Sequence, residues 1–298
     1  MSAALERARA VLRGVRGEAP AWSTAAALAD VLYTRWYHAP SHVCRQCPDL
    51  AAYRTAYALG AGLASGWRVV ALRPDAGPGA IVAEADGEQR LVHPTDYAPA
   101  DAMRLSVAPG DAVLLTPRID DVTGGFWHVW SPAWRKAPPE RLLRVYFQVA
   151  AGRETAFVAR VPAQAPPGAA WSMKVLAGTH LAGRADAAVM YLDRDHGVRA
   201  DWIARLVDAV AALLEGGAPP LTEPIAAGVA WAEDPGGGVS FGEHRCRVLA
   251  TAAHARPAAL ESARSWQRAA AEAFAREGLD LARPHLQGRQ RPRAGHVA

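Results

Sequence analysis

A glycine-rich stretch near the C-terminus combines a loop, a helix start and a cluster of cationic side chains. It reads PGGGVSFGEHRCR and places His244, Arg245 and Arg247 in the first two turns of a predicted helix. Free backbone N–H groups at a helix start, the helix dipole and guanidinium groups all favour negative charge. The stretch therefore predicts an anion-binding site.

Lys174 is notable because lysine is rare in this chain. Of the 33 Lys+Arg residues, only Lys136 and Lys174 are lysines, so arginine is used almost wherever a cation is needed. Lys174 lies in AAWSMKVLAG, an apolar run that predicts a strand. A buried lysine can lose its proton, whereas a guanidinium cannot, so Lys174 is a candidate base. The alternative is a lysine whose stem covers apolar surface while its ammonium group reaches water.

Predicted strands in the second half of the chain would surround Lys174 with further polar side chains. If these strands are neighbours, the amine faces guanidinium groups, which favour a neutral lysine and also bind phosphate. In the alternative interpretation, Arg184 and Asp186 form a surface ion pair. Arg245 and Arg247 would then only cover a solvated helix face. The candidates on the strands are Arg144, Tyr146, Arg184, Asp186 and Tyr191.

These groups fit a β-elimination better than a hydrolysis. Hydrolysis of a phosphate ester normally needs metal ions or a covalent carrier, and the sequence carries no convincing motif for either. In an elimination, a base removes the Cα proton of phosphoserine or phosphothreonine while arginines stabilise the leaving phosphate. An acid can protonate the leaving oxygen. The residues therefore predict an enzyme that needs no metal and no cofactor.

Motifs for other kinds of chemistry are weak or missing. The sequence has no P-loop, no dinucleotide-binding glycine pattern and no G-x-S-x-G motif. Four zinc-type ligands lie together around Pro40, although structural zinc sites usually draw their ligands from two separated segments. A zinc-dependent protein is therefore only a third hypothesis. The four residues are His38, His42, Cys44 and Cys47.

Composition favours a globular cytoplasmic protein. The 298 residues are 51% hydrophobic and 21% charged, which allows a large core and argues against disorder. We find no apolar run of about 18 residues and no signal-peptide pattern, so we expect no membrane partner. Three cysteines fit a reducing compartment. The net charge of +4, without a dense basic stripe, argues against a nucleic-acid partner.

The order of predicted elements indicates the α+β class, with N-terminal helices packed on a mainly antiparallel β core and helices at the C-terminus. Residues 1–66 predict a helical region. Residues 67–135 alternate between short apolar runs and turn signals, which is typical of an antiparallel meander. Residues 136–285 predict an α+β catalytic core that forms one compact domain with the preceding parts. Residues 286–298 predict a disordered basic tail.

Four blocks of the sequence resemble the HopA effector family. They read LADVLYTRWYHAP, LLRVYFQV, WSMKVLAGTHLAGRADAAVMYLD and PPLTEPIAAGVAWAEDPGGGVSFGEHRCRVLA. The family includes type III secreted effectors and the lyase partners of small phosphotransferase-like kinases in peptide natural-product biosynthesis. The resemblance implies a phosphoserine or phosphothreonine lyase that acts on a phosphorylated, ribosomally made precursor peptide, as in class V lanthipeptide or thioamide-containing peptide pathways. A partner kinase would first phosphorylate the peptide, and the product would be dehydroalanine or dehydrobutyrine.

The resemblance also implies roles for single residues, with Lys174 as the base. Similar secreted lyases of enteric pathogens carry the motif K-x-H, whereas Lys174 is followed by Val175 and Leu176, so the identity of the acid stays open. The alternative is a non-catalytic family member that binds a peptide or a kinase, with Lys174 turned to solvent. The candidate acids are His244, then Tyr191, then His180 or His128. The candidate phosphate ligands are Arg184, Arg245, Arg144 and Arg247.

Overall fold

The computed structural model describes residues 2–18, 20–38, 50–61, 66–94, 96–101, 103–115, 120–123, 125–131, 134, 137–166, 169–177, 184–194 and 200–288. Within these ranges the chain forms seven α-helices and two antiparallel sheets, with the N- and C-terminal helices packed on the larger sheet. The predicted α+β class is therefore confirmed. The predicted tail falls outside the described residues from position 289 onward.

The helices are α1 (Ser2–Gly14), α2 (Ala25–Leu32), α3 (Leu50–Gly60), α4 (Glu154–Gln164), α5 (Ala200–Val210), α6 (Phe241–Ala255) and α7 (Ala263–Arg276). Helices α2, α6 and α7 begin after residues whose side chains accept from N–H groups of the first turn. Thr24 Oγ1 accepts a hydrogen bond from the N–H of Ala27 at 3.0 Å, and Ser240 and Glu243 form a reciprocal capping box. None of the helices in the described part is both long and apolar enough to cross a membrane.

The strands coincide with the short apolar runs of the sequence. Three short strands, β4, β6 and β11, were not predicted, because their sequences YAP, DDVT and EPIA are not apolar runs. The strands are β1 (Trp67–Leu72), β2 (Ile81–Ala85), β3 (Glu88–Val92), β4 (Tyr97–Pro99), β5 (Ala112–Leu115), β6 (Asp120–Thr123), β7 (Phe126–Trp130), β8 (Leu142–Phe147), β9 (Trp171–Leu176), β10 (Ala188–Asp193), β11 (Glu223–Ala226) and β12 (Val229–Glu233).

The smaller sheet has the strand order β3-β2-β1-β5-β4 and its own apolar core around Trp67, Ile81 and Val113. It is joined to α3 by a hydrogen bond from Thr55 Oγ1 to the carbonyl oxygen of Pro99 at 3.0 Å. Strand β7, which the sequence pattern placed in the same meander, pairs with β9 of the larger sheet instead. Local periodicity identifies a strand, but its partner depends on long-range packing.

The larger sheet has the order β11-β12-β8-β10-β9-β7-β6 and lies between two helical layers. Helices α3, α4 and α5 cover one face, and α1, α2, α6 and α7 cover the other. Directly paired residues of antiparallel strands lie on the same face. Lys174 of β9 pairs with Val189 of β10 and His128 of β7, and Val189 belongs to the core under α2 and α6. Lys174 therefore lies on the α2/α6 face.

Candidate functional site

Lys174 and Arg184, two of the predicted site residues, meet at one aromatic ring. The Nζ atom of Lys174 lies 4.3 Å from the ring centroid of Phe126, and the guanidinium carbon of Arg184 lies 5.3 Å from the same centroid. Lys174 is half-buried, and Phe126 is buried at the start of β7. Aromatic faces attract cations, so this one ring contacts both an amine and a guanidinium group.

The guanidinium group of Arg184 is held by two buried partners, Asp186 and His38, and the Tyr33 side chain also bonds it. Its Nε and Nη2 atoms donate to the two carboxylate oxygens of Asp186 at 2.7 and 2.8 Å, and Nη2 also lies 2.8 Å from Nε2 of His38. The exposed fractions of Arg184, Asp186 and His38 are 5%, 5% and 8%. The predicted ion pair between Arg184 and Asp186 is therefore present, but it is buried and not at the surface. None of these three contacts uses Nη1 of Arg184.

The geometry also fixes the proton on His38. A guanidinium nitrogen can only donate, so Nε2 of His38 must accept, and a neutral ring then carries its proton on Nδ1. Burial lowers the pKa of His38 to about 4, with Asp186 opposing and Arg184 and Lys174 adding to the shift. Burial alone would raise the pKa of Asp186, but the hydrogen bonds and charge of Arg184 hold it below the usual range. At neutral pH, the cluster contains a neutral imidazole and an ionised carboxylate.

A short π-helical segment, Tyr33–His38, extends α2 and brings His38 into the cluster. Positions five apart in an α-helix point about 140° away from each other, whereas the i to i+5 hydrogen bonds of a π-helix align them. The rings of Tyr33 and His38 accordingly meet edge-on, with centroids 3.9 Å apart. The Tyr33 hydroxyl lies 3.4 Å from Ser240 Oγ at the start of α6. The segment therefore connects the glycine-rich loop to Arg184.

Arg144 lies on the same sheet face but is occupied by the loop that precedes α6. It bonds the carboxylate of Asp234 through Nε at 2.6 Å and donates from Nη2 to the carbonyl oxygen of Val239 at 3.1 Å. The other oxygen of Asp234 accepts from the N–H of Gly236. The guanidinium group also covers the ring of Tyr191 at 5.3 Å. Arg144 thus supports the loop in this structure.

The glycine-rich loop itself depends on glycine. Gly236, Gly237 and Gly238 have φ angles of 75°, 65° and 74°, a left-handed conformation that other residues adopt only with strain. Part of the first turn of α6 is satisfied from within the chain, since Ser240 Oγ accepts from the N–H of Glu243 at 3.1 Å and Glu243 Oε2 accepts from the N–H of Ser240 at 2.7 Å. These two N–H groups, which the sequence suggested for an anion, are therefore already bonded.

Arg245 and Arg247 lie in different surroundings from Lys174. Arg245 is fully buried, and it donates to the carbonyl oxygens of Pro284 and Leu286 at 2.8 and 3.0 Å. Arg247 is exposed on the same helix. Arg245 therefore anchors the C-terminal segment, and neither side chain joins the cluster around Phe126 in the part of the chain that the structure describes.

His244, the first candidate acid, contacts Arg245 and lines a different part of the molecule from Lys174 and Arg184. Its Nδ1 atom lies 2.8 Å from Nη1 of Arg245 and must accept, and burial together with Arg245 and Arg247 lowers the pKa of His244 to about 4. It lines a cavity of about 1150 Å³. Among the described residues, neither Lys174 nor Arg184 lines that cavity. His244 is therefore a neutral imidazole at neutral pH.

Two of the remaining candidate residues lie on the sheet face that carries Lys174, and the others lie outside the described residues. His128 is directly paired with Lys174 and stacks on Trp130, with ring centroids 6.0 Å apart, and Tyr191 lies one strand further along the same face. Among the described residues, no three His, Cys, Asp or Glu side chains are grouped to hold a metal ion. The candidates His180, His42, Cys44 and Cys47 lie outside the described residues.

Sequence reasoning missed two members of the cluster. The sequence places Phe126 only within the predicted meander of residues 67–135, because its role depends on the pairing of β7 with β9. His38 was considered only as a zinc ligand, since helical periodicity does not reveal a π-helical turn. Its signal in the sequence was its position at the end of the aromatic run YTRWYH, inside one of the blocks that carry the family resemblance.

The buried His38 and the partly buried His244 predict a loss of stability in acid. An unfolded histidine takes up its proton near pH 6.5, but His38 and His244 do so only near pH 4 in the folded protein. Between these values the unfolded chain binds more protons, so the free energy of unfolding falls as pH falls, by up to about 1.4 kcal/mol per pH unit for each ring. Urea unfolding across this range should show a shallower slope for His244→Asn. The exposed His254→Asn is the matched control, and an unchanged slope for His244→Asn would contradict the prediction.

Comparisons with known proteins concern both sequence and fold. A model of the HopA1 effector protein family matches residues 120–286. The solved effector protein from Pseudomonas syringae pv. syringae strain 61 shares the fold, with a TM-score of 0.50, 14% identity and coverage of 97% of this chain and 99% of that chain. For the effector protein from Pseudomonas syringae pv. tomato strain DC3000, the TM-score is 0.44 and the sequence identity is 11%. That alignment covers 87% of this chain and 90% of that chain. No curated protein matches the chain in sequence.

Proposed function

We propose that this chain, which belongs to the HopA1 effector protein family, is a lyase that eliminates phosphate from phosphoserine or phosphothreonine in a peptide. One observation supports this above all: the Lys174 amine and the Arg184 guanidinium group lie 4.3 and 5.3 Å from the centroid of one ring, that of Phe126. A base and a phosphate ligand at one ring are the two groups that a β-elimination needs.

The proposed reaction requires one proton transfer and one bond cleavage. The Lys174 amine takes the proton from Cα of the phosphorylated residue, and the electrons of that C–H bond form the Cα=Cβ double bond. The Cβ–O bond breaks, and its electrons leave with the phosphate. The products are inorganic phosphate and dehydroalanine or dehydrobutyrine, and no oxidant or reductant is consumed.

Arg184 would stabilise the charge that develops on the leaving phosphate. Asp186 and His38 hold its Nε and Nη2 atoms, so the guanidinium group does not need to reorganise when charge appears. A phosphate neutralised in this way can leave as an anion, so a strong proton donor is not essential. Where an acid does contribute, His128 and Tyr191 are the candidates on the same sheet face.

The same site supports a proposal for the substrate class. Among the described residues, the amine of Lys174 and the fixed guanidinium group of Arg184 suit one phosphoryl group beside one Cα proton, as in a phosphorylated side chain. We propose a ribosomally made precursor peptide as the substrate and a separate kinase as the enzyme that supplies it, because an elimination enzyme needs the phosphate already in place.

Mass spectrometry of a phosphopeptide tests the proposal directly. Matched peptides that carry phosphoserine, phosphothreonine or the unmodified residue are incubated with the protein, and a malachite-green assay measures released phosphate. We expect loss of the whole phosphoric acid, which leaves a dehydrated residue that captures an added thiol.

Other results would exclude the lyase. Return of the plain hydroxyl residue would identify a phosphatase. Binding of the phosphopeptide without any change in mass would favour the non-catalytic binding protein, because the site would then recognise phosphate without removing it.

A further inference from the structure

Arg184 has to be presented in one orientation if it is to bind phosphate next to Lys174. Its bonds to Asp186 use Nε and Nη2, and the contact with His38 uses Nη2 as well. Both carboxylate oxygens of Asp186 are engaged by this one guanidinium group. The two hydrogen bonds to Asp186 fix the plane of the guanidinium group. The contact of Nη2 with His38 adds a third acceptor in a different direction.

His38 is suited to be that third acceptor in only one protonation state. As a neutral ring it offers the Nε2 lone pair to Nη2 of Arg184, whereas a protonated ring would present a second donor and repel the guanidinium group. The edge-on contact with Tyr33 holds the ring in place, and the π-helical turn that produces this contact is an uncommon feature found often at functional sites.

We propose that His38 is a positioning residue for phosphate binding: it acts as a neutral acceptor that turns Nη1 of Arg184 toward the phosphoryl group held beside Lys174. This inference rests on the proposed phosphate site, and it gives His38 no contact with the substrate. His38 acts through Arg184, in the same way that outer partners orient the direct ligands of other binding sites.

Replacement of His38 by two different side chains tests the role of the acceptor. In His38→Gln, the side-chain carbonyl oxygen can take the place of Nε2, whereas His38→Leu fills much of the space without any acceptor. We expect affinity for inorganic phosphate, measured by calorimetry, to fall about tenfold to a hundredfold in His38→Leu. In His38→Gln it should stay within about threefold of the unaltered protein, since one acceptor replaces another. His254→Leu, on an exposed position of α6, is the control and should bind as the unaltered protein does.

Phosphopeptide turnover adds a second readout, and the two readouts separate this inference from the proposed function. His38→Leu should raise KM more than it lowers kcat. If the variants bind phosphate as expected but the protein never eliminates it, the lyase proposal fails and the positioning role stands. If His38→Leu and His38→Gln bind phosphate with the same affinity, the role of His38 is overturned. The role is also overturned if both variants lose the same affinity and their melting temperatures fall by the same amount. Absence of saturable phosphate binding by the unaltered protein would overturn it too.

Discussion

Lys174→Arg should abolish elimination while phosphate binding persists. Arginine keeps the positive charge and the contact with the Phe126 ring, but a guanidinium group does not accept a proton at accessible pH. Loss of a general base typically slows a reaction by about 10²–10⁴-fold, so kcat should fall by at least a hundredfold. The measurement is the rate of phosphate release from a phosphothreonine peptide, combined with calorimetry of phosphate binding.

Lys174→Met provides the comparison that separates charge from proton transfer. Methionine fills the space of the lysine stem but removes the charge, so this variant should lose turnover and also bind phosphate more weakly. Elimination by Lys174→Arg at a rate near that of the unaltered protein would exclude Lys174 as the base. The site would then use Lys174 for charge alone, and His128, its direct neighbour on β7, would become the candidate base.

Arg245→Ala should destabilise the protein by about 2–4 kcal/mol. The side chain is fully buried and donates to the carbonyl oxygens of Pro284 and Leu286, which would lose their partners and face a cavity. Burial lowers the pKa of Arg245 to about 10, which shows that part of this benefit is offset by the cost of burying the cation. Urea unfolding at neutral pH measures the difference in the free energy of unfolding.

Arg247→Ala is the matched control for Arg245→Ala. Arg247 is exposed two residues further along α6, so its removal should change the free energy of unfolding by less than about 0.5 kcal/mol. The pair also tests the predicted phosphate role of both arginines. A stable Arg245→Ala protein that no longer binds phosphate would contradict the anchoring role that we assign to Arg245.

The helices, most strands and the fold class could be predicted because their signals are local. Lys174 and Arg184 were also grouped correctly as neighbours, since a strand followed closely by another strand commonly forms an antiparallel pair. The partner of β7 could not be predicted, because nothing in the sequence FWHVWS distinguishes one neighbouring strand from another. The contribution of Phe126 to the site depends on that partner.

The arginines show a second limit of sequence reasoning. Arg144, Arg184 and Arg245 are the same residue type, and all three were predicted to bind phosphate. In the structure, Arg144 bonds Asp234, Arg184 bonds Asp186 and His38, and Arg245 bonds carbonyl groups of the C-terminal segment. A guanidinium group serves a ligand or the protein's own backbone equally well, and only the position of the acceptors decides between them.

The π-helical segment Tyr33–His38 lies well before residue 120, where the family match begins. A fragment cut at that boundary would keep Lys174, Arg184 and Asp186 but would lose the imidazole that completes the cluster. The segment and helices α1 and α2 also cover part of the sheet face that carries Lys174. A gene trimmed to the matched region would therefore encode an incomplete site, and a separately added peptide of residues 2–38 is the natural means of complementing it.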